Sequence, residues 1–342
     1  MGRSTTESEA VTRRAFLAAT AAAAAEPAVR TRMGLSPDCF IIAKPSRHAL
    51  DYLQYAWERG AGGVQATLPS ADPAYLRQVR EHAEKLGMYL EIAASLPKGG
   101  DATEFEAAVR SAKEAGARCL RVTCLSGRRY ETFSSLDQWK AFVAESQKRL
   151  EQAARVLERL RFPAGVENHK DWTIEEMVPL LDRYGSEWLG VCIDWGNNIA
   201  LLDDPLDTAA ALAPFAVNSH IKDMAVEEYE DGFLLAEVPL GEGFLDLPRI
   251  LGVIRKARPH VRFSLDMLTR DPLRIPCLTE KYWATMPGRA APSLAKALRS
   301  VRGNKPRKPI PRPSVMAHQE ALELEQRNVR ASVQYAAQVL GL

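Results

Sequence analysis

Eight short apolar runs alternate with amphipathic stretches along this chain, at intervals of about 25 to 30 residues over most of its length. No other feature constrains the fold as much. The runs are CFIIA (39–43), VQATL (64–68), MYLEIAASL (88–96), CLRVTCL (119–125), AGVEN (164–168), LGVCIDW (189–195), AVNSHIK (216–222) and VRFSLDML (261–268). Runs such as LGVCI are apolar at successive positions, as strands are when both faces are covered. The stretches between them have helical periodicity. PAYLRQVREHAEKLG (73–87) closes on a glycine, the residue that helix C-termini favour, and a long helix is expected over about 136–160. A segment of polar and acidic character, 225–246, lengthens the seventh interval and reads as an insertion. Eight strand–helix units predict an α/β fold, a (β/α)8 barrel. The competing arrangement, a doubly wound open sheet, lacks its G-x-G-x-x-G after the first run.

The two ends stand apart from this pattern. VTRRAFLAATAAAAAEPA (11–28) joins Arg13 and Arg14 to Phe16-Leu17, an alanine-rich run and an A-x-A-like site. That is the layout of a twin-arginine export signal, and it predicts a periplasmic location. The run is too short and too weakly apolar for a stable span. GNKPRKPIPRP (303–313) is a basic, proline-rich connector. A strong helical pattern follows, expected to pack on the barrel wall or on a neighbouring subunit as the contact of a homo-oligomer. The organisation expected is therefore a signal over 1–28, a barrel over 29–300, and a connector with terminal helix over 301–342.

Acids and bases almost cancel, 43 against 45, so the net charge of +2 leaves no footprint for nucleic acid. Cys39, Cys119, Cys124, Cys192 and Cys277 are scattered, with no C-x-x-C, and form neither a disulfide framework nor a zinc knuckle.

In a barrel of this kind the residues just after each strand meet at one face, where the chemistry sits. The last four runs end in Glu167, Asp194, His220 and Asp266. A carboxylate at the end of an apolar strand is costly to bury unless it is paired or bound to a cation. Four neighbouring strands ending this way point to one shared divalent ion. Three carboxylates and one imidazole favour Mn2+, with Mg2+, Co2+ and Zn2+ also compatible. Other polar residues fall near the same rim. Lys222 and Asp223 follow His220, and Lys222 suits an oxyanion or a hydroxyl as well as a surface pair. His169, Lys170 and Trp172 follow Glu167; Asn197 and Asn198 follow Asp194. Glu242, in the LGEG stretch, Arg270 and Arg128 complete the candidates for holding substrate.

GVENH, CIDWGN, HIKD and LGEG, in this order, resemble the xylose isomerase-like TIM barrels, the sugar phosphate isomerase/epimerase superfamily. The resemblance covers about residues 32–300 and is specific in the second half. It implies that Glu167, Asp194, His220 and Asp266 bind one divalent metal, and that Glu167 and Asp266 also act as acid and base. Asp266 departs from the pattern, since glutamate is usual there.

The chemistry such a site permits is proton removal beside a carbonyl, with metal stabilisation of an enediolate. Isomerisation or epimerisation of a sugar or keto-sugar is the expected reaction. A lyase, by elimination or decarboxylation, lies close to it, because the same enolate serves. A multi-zinc endonuclease would need more histidines than His169 and His220 in this half of the chain. A non-catalytic sugar-binding barrel is the alternative of another class, and the intact ligand set argues against it.

Overall fold

Among the described residues, eight parallel strands close into a ring. They are β1 (Gly34–Leu35), β2 (Gly63–Ala66), β3 (Tyr89–Ala93), β4 (Leu120–Val122), β5 (Ala164–Glu167), β6 (Leu189–Asp194), β7 (Ala216–Ile221) and β10 (Phe263–Leu265). In this computed structural model the description covers residues 29–342 apart from 290 and 307, so the expected export signal lies outside it. Each strand pairs with its neighbour in sequence, and β1 closes the ring against β10. Helices from Ala49–Trp57 round to Leu247–Ala257 surround the ring, and the long one spans Leu136–Leu160. Ser135 starts that helix by accepting the backbone N–H of Gln138. One apolar cluster fills the barrel and the space under the helices.

Two elements differ from the sequence reading. CFIIA is not the first strand. Ser36 accepts a hydrogen bond from the backbone of Asp38, and Pro37 opens a short helical turn over Pro37–Phe40. A cap followed by proline is a helix-start signal, and here it outweighs the β propensity of the residues behind it. The strand is the pair just upstream, Gly34-Leu35. A Cβ at Gly34 would lie 2.4 Å from the Tyr89 hydroxyl, which fills that end of the barrel.

The polar insertion is also structured. β8 (Asp223–Tyr229) and β9 (Gly232–Val238) form an antiparallel hairpin, and β11 (Leu273–Ile275) adds a third strand. Acidic residues such as Glu227 and Glu228 lie on its exposed part, while Met224, Val226, Phe233 and Leu235 enter a second apolar cluster with Tyr282 and Val301.

The terminal helix (His318–Gln338) lies on the barrel wall. Glu325 is fully buried and accepts the N–H groups of Ile42 and Ala43, at 2.8 and 3.0 Å. Tyr335 packs against Gly241, where a Cβ would come within 2.2 Å of its ring.

Candidate metal centre and its cavity

Strand register brings the four expected ligands together. Asp194 sits opposite His220, Glu167 opposite Cys192, and Asp266 one residue beyond the end of β10. All four side chains are buried, and one ligand atom from each lies within 4.8 Å of the others. His220 Nδ1 has no hydrogen-bond partner. It faces Glu167 Oε1 at 3.7 Å, and Asp194 Oδ2 and Asp266 Oδ2 at 3.9 Å each. Ligands about 2.0–2.2 Å from a common ion stand roughly 3 to 4.4 Å from one another, so the set fits one divalent cation.

Asp194, His220 and Glu167 are held from behind, whereas Lys222 meets the inward oxygens. Asp194 Oδ1 accepts the N–H groups of Gly196 and Asn197, at 3.0 and 2.9 Å, which turns Oδ2 inward. The Gln65 amide lies 2.9 Å from His220 Nε2, so Nδ1 is the nitrogen left for an ion. Gln65 and Asn218 in turn contact Glu91, at 3.5 and 3.0 Å. Arg121 reaches Glu167 Oε2 at 2.6 Å, and the Asn197 amide donates to Oε1 at 3.1 Å. Lys222 bridges Asp194 and Asp266, 2.7 and 2.9 Å from their Oδ2 atoms.

The charges follow from these contacts. Burial pushes the Glu167 carboxyl up, but Arg121, His220 and His169 outweigh it and hold it well below the usual carboxylate range. Burial likewise opposes ionisation of Asp266, and Lys222 with His220 more than reverses it. For Asp194 burial wins and its pKa is raised, with Lys222 opposing. Burial lowers the His169 imidazole to about 4 and the Lys170 ammonium to about 8.

A cavity of about 410 Å³ opens beside the cluster, and Glu167, Asp266, Lys222, His169, Lys170 and Arg270 border it. A larger hollow of about 580 Å³ near Ala94 and Lys98 touches none of the four ligands. Arg128 lies on the rim of the site cavity, paired with Glu131. Asn197 stands between Glu167 and Lys170, donating to one and accepting from the other.

Three expected positions fall elsewhere. Trp172 is wedged into an aromatic stack with Trp139 and Phe142, at 5.2 and 5.7 Å, because the loop turns its ring outward under the helices. Glu242 is exposed and faces Lys308 at 3.4 Å, since the turn carrying it is folded around Asp223. The Asp223 carboxylate accepts the N–H groups of Gly241 and Gly243 (2.9 Å each) and of Leu245 (3.2 Å). Asn198 bonds Asn168 and Asp203 rather than the cavity. The sequence reading also misses Arg121, Gln65 and Glu91. Their signal is present: each is a polar residue inside an otherwise apolar strand.

Fold and site together define a (β/α)8 barrel with a buried cluster of metal-ligand type at the C-terminal ends of four adjacent strands. The chain belongs to the family described as Xylose isomerase-like TIM barrel, whose model matches residues 53–299. A curated relative from Pectobacterium atrosepticum, 3-oxo-isoapionate decarboxylase, is 27% identical over 209 residues, covering 59% of this chain and 71% of the relative. Among solved structures, a D-psicose 3-epimerase in the presence of D-fructose superposes with a TM-score of 0.54 at 14% identity, over 79% of this chain and 96% of that one. A xylose isomerase-like barrel from Mycobacterium smegmatis in complex with magnesium gives 0.53, also at 14%, over 78% and 98%. At that identity the structural likeness is one of fold.

Proposed function

We propose that this protein is a divalent-metal-dependent enzyme acting on a keto-sugar or keto-sugar acid. The convergence of four ligand-type atoms within 4.8 Å at the mouth of the barrel carries the proposal. When bound, the ion, Mn2+ in our reading, would polarise a substrate carbonyl and stabilise negative charge on its oxygen. The rest falls to the chain. His169 and Arg270 border the cavity and suit hydroxyl groups, and Lys170 beside them suits an anionic one.

Two outcomes share that chemistry. Isomerisation or epimerisation needs a carboxylate free to take a proton. The two carboxylates available, Glu167 and Asp266, are each tied to a fixed cation, at 2.6 and 2.9 Å. A carboxylate neutralised in this way is a weak base. Loss of CO2 from a 3-keto acid needs no base, only stabilised charge and a proton returned to carbon. These pairings favour the lyase reading, and the decarboxylase relative supports it. The isomerase reading keeps its support in the family and in the place of Glu167 on the cavity wall, where it would be the acid/base group. We also propose that residues 1–28 direct export to the periplasm.

The test is to incubate metal-loaded protein in D2O with a panel of keto-sugars and 3-keto sugar acids, reading CO2 and deuterium incorporation by NMR. CO2 release with deuterium entering the product supports the lyase. Exchange without CO2 supports the isomerase. Neither signal with any compound would leave a sugar-binding barrel without catalysis.

A further inference from the structure

We propose that Lys170 is the anchor for a carboxylate of the substrate, so that the cavity selects a sugar acid over a neutral sugar or a sugar phosphate. The inference deepens the reading of the site given above and rests on it.

Five cations border the cavity: Arg121, Arg128, Lys170, Lys222 and Arg270. Four of them have a carboxylate partner at 2.6 to 2.9 Å. Arg121 has Glu167, Arg128 has Glu131, Lys222 has Asp194 and Asp266, and Arg270 has Glu237. Lys170 is the exception. Its ammonium donates to the neutral amide oxygen of Asn197, and among the described residues no carboxylate lies within 4.0 Å of it. It is only 4% exposed.

A buried charge without a counter-charge in contact is costly and is normally paired or neutralised. Burial, with Lys222 nearby, pulls the Lys170 pKa to about 8 against the more distant carboxylates of Glu237 and Asp194, which still leaves it largely charged at neutral pH. The backbone adds to the cost. Lys170 has φ of +55°, the left-handed region that a residue with a Cβ enters at an energetic cost. A glycine or asparagine would suit that turn better, so what the side chain does must offset the conformation.

The geometry around it is fixed. Asn197 donates to Glu167 Oε1, which turns its carbonyl oxygen toward Lys170 and holds the ammonium one side chain away from a metal ligand. Asp171 accepts the N–H groups of His169 and Trp172, at 3.1 and 2.9 Å, and locks the loop. A keto-sugar acid with its carbonyl end toward the ligand cluster would therefore place a carboxylate within reach of the one cavity cation that has no carboxylate in contact among the described residues. One ammonium matches one carboxylate. A phosphate site would present several backbone N–H groups from a glycine-rich loop opening a helix, and Glu167 leads instead into a turn capped by Asp171.

The experiment measures binding to the metal-loaded full chain by titration calorimetry, using unreactive five-carbon probes: ribonate, ribitol and ribitol 5-phosphate. Ribonate is expected to bind the parent at least tenfold more tightly than ribitol. Lys170→Met should remove that preference while changing ribitol affinity less than twofold, and Lys170→Arg should restore most of it. Equal metal content and unfolding temperature in the variants separate a lost contact from a lost fold. The proposal is overturned if ribonate and ribitol bind the parent equally, weakly or not at all. It is equally overturned if the preference survives in Lys170→Met, which would assign it to the ion, or if ribitol 5-phosphate binds more tightly than ribonate. A Lys170-dependent preference without turnover of any keto acid would keep this subsite and sink the proposed reaction. Turnover of neutral keto-sugars without the preference would do the reverse.

Discussion

The guanidinium of Arg121, on β4, lies 2.6 Å from Glu167 Oε2, at the end of the adjacent strand β5. The pair is what keeps a buried carboxylate charged beside two others, and it makes the centre stable before any ion arrives. Removing one partner of a buried pair exposes the full desolvation penalty of the other, about 3–5 kcal/mol. Arg121→Met should therefore lower the unfolding temperature markedly in EDTA and regain most of the loss in saturating Mn2+, because the ion supplies the missing positive charge. Thermal unfolding with and without metal checks this. An equal loss in both conditions would mean that Glu167 does not face the ion.

Gln65 would act on a bound ion through His220. Its amide meets Nε2 at 2.9 Å and fixes which nitrogen faces the carboxylates. Gln65→Leu is expected to weaken Mn2+ binding by about 10- to 100-fold with little change in fold. A competition titration against a chelating dye reads the affinity. An unchanged constant would remove Gln65 from this role.

Asp171 gives a pH signature. It is fully buried, and burial raises its pKa from 3.8 to about 7. A raised acid favours the folded state while it is protonated. Its contribution is fully present below the unfolded pKa near 3.8 and is lost as pH rises through about 7. Asp171→Asn keeps an acceptor for the two N–H groups and never ionises. The variant should be more stable than the parent at pH 8.5, by on the order of 4 kcal/mol, with the gap narrowed to about half at pH 5.5. Denaturant titrations at the two pH values test it; the same difference at both would show that Asp171 does not titrate in this range.

Replacing Arg13 and Arg14 together by lysine should hold the precursor in the cytoplasm. Cell fractionation followed by immunoblotting reads the outcome. Undiminished export would remove the twin-arginine assignment.

The sequence makes the barrel legible wherever a strand is long enough to show its pattern. LGVCI in β6 is an unbroken apolar run because both its faces are covered. β1 is two residues long and has no periodicity to read, so the apolar CFIIA behind it draws the assignment although Ser36-Pro37 starts a helical turn. The hairpin 223–238 hides its buried residues among Glu227, Glu228, Glu230 and Asp231, and burial that depends on a second cluster and a partner strand cannot be told from a polar loop in the sequence.

The site divides along the same line. Glu167, Asp194, His220 and Asp266 are visible because each ends a strand, where an apolar run gives no reason for a charge. Arg121, Gln65 and Glu91 lie within strands, and which of them face one another depends on barrel register, a long-range property. Trp172 shows the converse: adjacent in sequence to the cavity loop, it is carried away from the cavity by the direction of its side chain.

The central claim is that Glu167, Asp194, His220 and Asp266 hold one divalent ion. Elemental analysis of the purified parent and of His220→Ala, both equilibrated with Mn2+ and freed of excess metal, tests it most directly. The parent is expected to hold about one ion per chain and the variant less than about a tenth of that, with the fold intact by circular dichroism. Equal metal content in the two proteins would contradict it.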